Sequence, residues 1–183
     1  MALSHTMKIV IMIVMYTKKR REAGMEKEKT AFQVRAAYHS DWDKAMELAW
    51  KTFLVFEAPV YKPEGIRSFH DFISDDMLHR MFLTGSYQMF VAFSDGEMRG
   101  MITLRGGGHI SLLFVDEDYQ RQGIGRALIG TLAAYMKEEM GLNRMTVNAS
   151  PYGVAFYHRL GFEDLGPEEE KDGIRYTPME KLL

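Results

Sequence analysis

The sequence predicts an α/β or α+β class domain in which helices flank and interrupt a twisted, mainly antiparallel sheet. Three observations carry this. From Phe32 onward, β-rich runs alternate with helix-period runs. Two of the β-rich runs are joined at Asp95-Gly96, a dipeptide suited to a tight hairpin turn. A further strand ending at Val115 leads through a glycine pair into a long amphipathic segment. At 183 residues, the chain can bury roughly 70% of its unfolded surface without disulfides or metals. One domain over residues 30–183 is therefore expected.

Residues 1–29 are set apart as an extension. Ile9 to Tyr16 is apolar and Lys18 to Arg21 is basic, the reverse of a signal peptide's order, and the apolar run falls far short of the ~20 residues of a spanning helix. The domain begins with a short strand at 32–36. Asp41 is then a candidate N-cap, and Ala45, Leu48, Ala49 and Phe53 recur at helical spacing, so a first helix runs to about Leu54. After the Pro-interrupted EAPVYKPEG, the positions Ile66, Phe69, Phe72, Ile73 and Met77 predict a second helical stretch. The hairpin occupies 89–104, three glycines follow at 106–108, and 109–115 is a strand. Leu128, Leu132, Met136 and Met140 form a core stripe on the next helix, with Gly141 as its stop. A strand at 145–149, a short helix at 154–160 and a last strand at 174–180 complete the order. The 15 methionines are read as core fillers.

The 23 basic and 25 acidic side chains leave a formal charge of -2, so no global field favours nucleic acid or an anionic membrane. Neither is expected as a partner; a homodimer is left open. With no cysteine, the chain has no disulfide framework, no Cys-type zinc site and no cysteine nucleophile, and it suits a reducing cytoplasm. No metal is expected.

The stretch VDEDYQRQGIGRALIG, Val115 to Gly130, is the most informative. A strand, a short loop and a helix opening near Gly123 present unpaired N–H groups at the positive end of a helix dipole. Glycines at 123 and 125 let an anion approach the backbone, and Arg121 and Arg126 add charge at the mouth. A dinucleotide fingerprint would need a third glycine where Leu128 stands, and a P-loop would need Gly-Lys-Ser/Thr, which is missing.

Gln120-Arg121-Gln122-Gly123-Ile124-Gly125 resembles the Q/R-x-x-G-x-G/A signature of the GCN5-related N-acetyltransferases (GNAT), and Leu113-Phe114-Val115 resembles the strand that leads into it. Residues 155–162, AFYHRLGF, are similar to that family's second signature. The resemblance covers 32–183. It implies a splayed strand pair, with acetyl-CoA as co-substrate and its pyrophosphate on the amides of Gln122, Gly123, Gly125 and Arg126. The pantetheine arm would pair with the main chain of Phe114 and Val115 as an added strand. Ser150 stands where many relatives carry a pantetheine-contacting asparagine.

Acyl transfer to an amine needs a base, an oxyanion donor and an acid for the leaving thiolate. The resemblance puts Tyr157 in the general-acid position, where a phenol of pKa about 10 faces a thiolate of pKa about 8.5. A backbone amide near Val115 would hold the oxyanion. Two residues compete as base. His109 opens the strand that ends at the co-substrate, and Glu57 lies in the loop where the family builds its acceptor pocket, with Phe56, Tyr61 and Glu64 on the same wall. The function expected is N-acetyl transfer to a primary amine on a small molecule or peptide. The alternative is a non-catalytic acyl-CoA sensor on the same fold.

Overall fold

At the hairpin turn, Asp95 and Gly96 both have positive φ, 54° and 78°, as a primed two-residue turn requires. This computed structural model describes residues 31–183, so the extension at 1–29 lies outside the described residues. The strands are β1 Gln33–Ala36, β2 Gln88–Ser94, β3 Glu97–Arg105, β4 His109–Val115, β5 Arg144–Ala149, β6 Glu163–Asp164, β7 Glu169–Lys171 and β8 Ile174–Leu182. The helices are α1 Trp42–Phe56, α2 Pro63–Ile73, α3 Asp76–Leu83, α4 Ile124–Glu138 and α5 Val154–Arg159. The sheet runs β1-β2-β3-β4-β5-β8-β6, with β7 attached to β8. Every pairing is antiparallel except β4 with β5.

The sheet has a core on each face. Against one lie α4 and α5, with Leu128, Leu132 and Met136 of the predicted stripe fully buried beside Met145 and Met179. Gly141, at φ 64°, ends that segment, and Leu142 N–H turns back to Met136 O at 2.9 Å. Against the other face, α1 and α3 bury Trp42, Ala45, Leu78 and Phe82 with Met89 and Met101.

Several expectations are corrected. The predicted second helix is two, because Asp75 accepts from Met77 N–H at 2.7 Å and starts α3 afresh. Met77 is consequently 59% exposed and not a core position. Asp41 precedes α1, yet its carboxylate makes no cap bond there. It takes the Arg35 guanidinium at 2.6 Å and Tyr38 N–H at 2.7 Å instead. Strands β6 and β7 gave no apolar alternation to read, since all five residues are exposed; they exist by backbone pairing to β8.

Two irregularities in β4 shape the site. Its register with β3 slips between Leu104↔Ile110 and Thr103↔Leu112, leaving Ser111 as the extra residue of a bulge. The slip changes the phase of the strand: Ile110, Leu113 and Val115 pack toward α4, while Leu112 and Phe114 pack toward α1. Thr103 Oγ1 stitches the bulge by accepting from Leu112 N–H at 3.0 Å and bonding Tyr87 Oη at 2.7 Å. The parallel pairing of β4 with β5 covers only His109↔Thr146 and Ile110↔Val147. Beyond those two pairs the strands part, β4 staying with β3 and β5 with β8.

Candidate active site

The divergence of β4 from β5 opens a cleft of about 930 Å³. Its long wall is the free edge of β4. Asp116 N–H bonds back to Arg99 O at 2.9 Å, and antiparallel pairs alternate. Phe114 therefore directs its main-chain groups to β3, and Leu113 and Val115 direct theirs into the opening. Of the two residues expected to offer main-chain groups, Val115 does and Phe114 does not; Leu113 is the other residue whose groups are free of β3. Phe114 contributes its ring, set edge-on to Phe69 at 5.7 Å between centroids.

At one end of the cleft lies the loop into α4. Arg121 and Gly123 take positive φ, 59° and 98°, and Gly123 is the N-cap. The first intrahelical bond runs from Ala127 N–H to Gly123 O at 3.0 Å. The amides of Ile124, Gly125 and Arg126 thus have no partner within the helix. Arg121, Gly123, Gly125 and Arg126 line the cleft. The side chain of Ile124 is 1% exposed in the core, so only its main chain can serve an anion. Gln122 directs Nε2 to Asp118 O at 2.8 Å and braces the loop. Gln120 donates to Val115 O at 3.2 Å and accepts from Tyr152 Oη at 2.9 Å.

Across the same cleft, three expected residues converge. Glu57 caps the C-terminus of α1, Ser150 follows β5, and Tyr157 lies on α5; all three line the cleft. Ser150 Oγ donates to Glu57 Oε1 at 2.7 Å and accepts from Gly153 N–H at 3.2 Å. Glu57 Oε2 is buried without a hydrogen-bond partner. Tyr61 stands beside it, but its single hydroxyl proton goes to Arg175 O at 3.0 Å. Burial raises the Glu57 carboxyl above the ordinary carboxylate range, opposed by the Ser150 hydrogen bond and, after it, by the neighbouring Tyr61 hydroxyl. Burial, followed by the charge of Glu57, pushes the Tyr157 phenol above its usual value. Tyr157 accordingly keeps its proton at neutral pH.

His109 is not brought to this group. It sits at the closed end of the splay, outside the cleft lining, with Nδ1 2.9 Å from Thr146 Oγ1. Burial and the Arg105 charge press its pKa down to about 4, where an imidazole is a weak proton acceptor. Phe56 and Tyr61 do line the cleft, as expected, while Glu64 lies on α2 outside the lining. The sequence reading missed Phe69, Tyr152 and Arg159 as cleft residues. Arg159 lies inside the quoted 155–162 motif, and Tyr152 stacks on Phe56 at 4.9 Å, a contact no local pattern announces.

The family model for the acetyltransferase (GNAT) domain matches residues 57–183. Peptidyl-lysine N-acetyltransferase YjaB of Salmonella typhimurium is 30% identical over 123 residues, covering 62% of this chain and 80% of the relative. A GCN5-related N-acetyltransferase structure from Rhodopseudomonas palustris superposes with a TM-score of 0.72 at 22% identity, over 88% of this chain and 100% of that one. The PaiA N-acetyltransferase of Thermoplasma acidophilum, solved with coenzyme A, gives a TM-score of 0.67 at 21% identity, over 84% of this chain and 99% of that one.

Proposed function

The chain belongs to the GNAT acetyltransferase family and is an acetyltransferase; from that premise we propose that it transfers acetyl from acetyl-CoA directly to a lysine-type primary amine. The observation that carries this reading is the open β4 edge, which forms one cleft together with the α4 loop, Glu57 and Tyr157. An extended pantetheine arm can add to that edge through Leu113 and Val115, as a strand would. Its pyrophosphate then lies at the amides of Gly123 to Arg126, with Arg121 and Arg126 supplying mobile positive charge.

Glu57 takes a proton from the acceptor ammonium, freeing the nitrogen lone pair. The nitrogen bonds to the acetyl carbon, the C–S bond breaks, and the new amide nitrogen releases its second proton to solvent. A main-chain amide of Leu113 or Val115 holds the carbonyl oxygen as charge develops on it. Tyr157 donates its phenolic proton to the departing CoA thiolate and is reprotonated from solvent, while Glu57 releases the proton it took. The surroundings of Glu57 favour an amine with an apolar stem: Glu57 supplies a carboxylate, and the aromatic residues Phe53, Phe56, Tyr61 and Phe69 line the same cleft. The relatives named peptidyl-lysine N-acetyltransferases support the lysine-type acceptor.

The test pairs calorimetric titration with acetyl-CoA and mass-spectrometric detection of acetyl transfer to a lysine-containing peptide. Saturable binding and a single acetyl added at the lysine amine are expected. A chain that does not bind acetyl-CoA contradicts the proposal.

A further inference from the structure

We propose that Ser150 is a positioning residue, which holds the Glu57 carboxylate so that Oε2 faces the incoming amine, and is not a contact for the pantetheine arm. This rests on the reading of Glu57 as the proton acceptor. A serine hydroxyl has one proton, and that of Ser150 is committed to Glu57 Oε1 at 2.7 Å. A lone pair on the same oxygen takes Gly153 N–H at 3.2 Å. To donate to a pantetheine carbonyl, the hydroxyl would have to abandon a largely buried carboxylate, which is costly for a charged acceptor.

The hydrogen bond also has structural reach. It joins residues 93 positions apart, the end of β5 and the end of α1, and so ties together the two walls between which an acceptor must enter. With Oε1 occupied, Oε2 is the buried oxygen left without a donor. An ammonium arriving there supplies that donor. The groups that face Glu57 are Ser150 after β5, Tyr61 after α1 and Tyr157 on α5. Arg175 and Glu168 act on Tyr61, and Arg121, Arg126 and Arg159 line the same cleft. Among these, the Ser150 hydrogen bond, and after it the neighbouring Tyr61 hydroxyl, favour the charged form of Glu57 against its burial.

The experiment is a ¹³C NMR titration of the full-length protein labelled at glutamate, with the Glu57 signal identified by its loss in Glu57→Gln. Wild type, Ser150→Ala and Ser150→Thr are compared, and the acetyl-CoA dissociation constant is measured for each. In Ser150→Ala the Glu57 titration should move to higher pH, acetyl-CoA affinity should stay within about twofold, and kcat/KM on a lysine peptide below the midpoint should fall about tenfold. Ser150→Thr, which keeps the hydroxyl, should restore the wild-type titration. An unmoved Glu57 titration overturns the inference, and so does a large loss of acetyl-CoA affinity in Ser150→Ala, whether or not the titration moves. If the titration moves but the acid limb of kcat/KM does not follow, Ser150 positions Glu57 as stated and it is the base assignment that fails.

Discussion

A Cβ on residue 125 would lie 3.1 Å from Phe156 Cζ and 3.3 Å from Cε2, so the second glycine of the α4 loop is where α4 and α5 come into close contact. The same residue lines the cleft, and its neighbour on α5 after Phe156 is Tyr157. In the proposed mechanism, phosphate approach and placement of Tyr157 are thereby coupled through one position. At Gly123 the constraint differs: a Cβ would meet open space, but the φ of 98° disfavours a side chain.

Gly125→Val should therefore lower acetyl-CoA affinity and also kcat, because the added side chain presses on the Phe156 ring and shifts α5. Overpacking of this kind costs about 1–3 kcal/mol. Adding Phe156→Leu should recover part of both losses. Calorimetry and turnover on the single and double variants check it; independent effects would mean that Gly125 acts on the phosphate alone.

The acid limb of kcat/KM should follow Glu57. Its pKa is raised in the folded protein, and the carboxylate must be ionised to accept a proton. Activity should thus fall as pH drops through a midpoint above the ordinary carboxylate value of 4.5. Glu57→Gln should remove that limb and lower kcat/KM by about 10²-fold or more. A pH–rate series on both proteins reads this directly.

His109 should act on stability. Its folded pKa of about 4 lies below the usual 6.5, so between those values the unfolded chain binds a proton that the folded one does not. The histidine costs no stability above pH 6.5, and stability falls progressively as pH drops toward 4. His109→Gln should flatten that part of the curve. Urea midpoints at pH 7 and pH 5 for the two proteins test it, and equal slopes would contradict it.

The acceptor wall should depend on Gly65. A Cβ there would lie 2.2 Å from Gly173 O, where the start of α2 docks on the β7–β8 turn alongside the Ser68 Oγ bond to Asp172 O at 2.8 Å. Backbone blocks the side chain, so Gly65→Ala must displace the docking. The acceptor KM should rise several-fold, while acetyl-CoA affinity is kept because the α4 loop is untouched. Steady-state kinetics with a lysine peptide and calorimetry separate the two terms.

The parts of the fold legible in the sequence were those fixed by local rules. Asp95-Gly96 gave the hairpin, Leu128, Leu132 and Met136 gave the buried face of α4, and the strand, loop and helix around Gly123 gave the turn into α4 that lines the cleft. The convergence of Glu57, Ser150 and Tyr157 was legible only as three separate residues. Their meeting depends on where β4 and β5 part, and no residue along either strand encodes that divergence. The bulge at Ser111 was hidden for a related reason: HISLLFV reads as a regular strand, and the extra residue is defined by its register with β3. His109 was misleading because a strand-end histidine looks the same in sequence at the closed and the open end of a splay.

Tyr157→Phe tests the central claim most directly, because it removes one hydroxyl from a ring that is 6% exposed and packed between Phe156 and Phe162. Turnover on a lysine peptide and the acetyl-CoA dissociation constant are measured in parallel. Proton donation to the thiolate by Tyr157 predicts that kcat falls by about 10²-fold or more while the dissociation constant stays nearly unchanged. Wild-type turnover in Tyr157→Phe would contradict it and leave Tyr157 with a packing role.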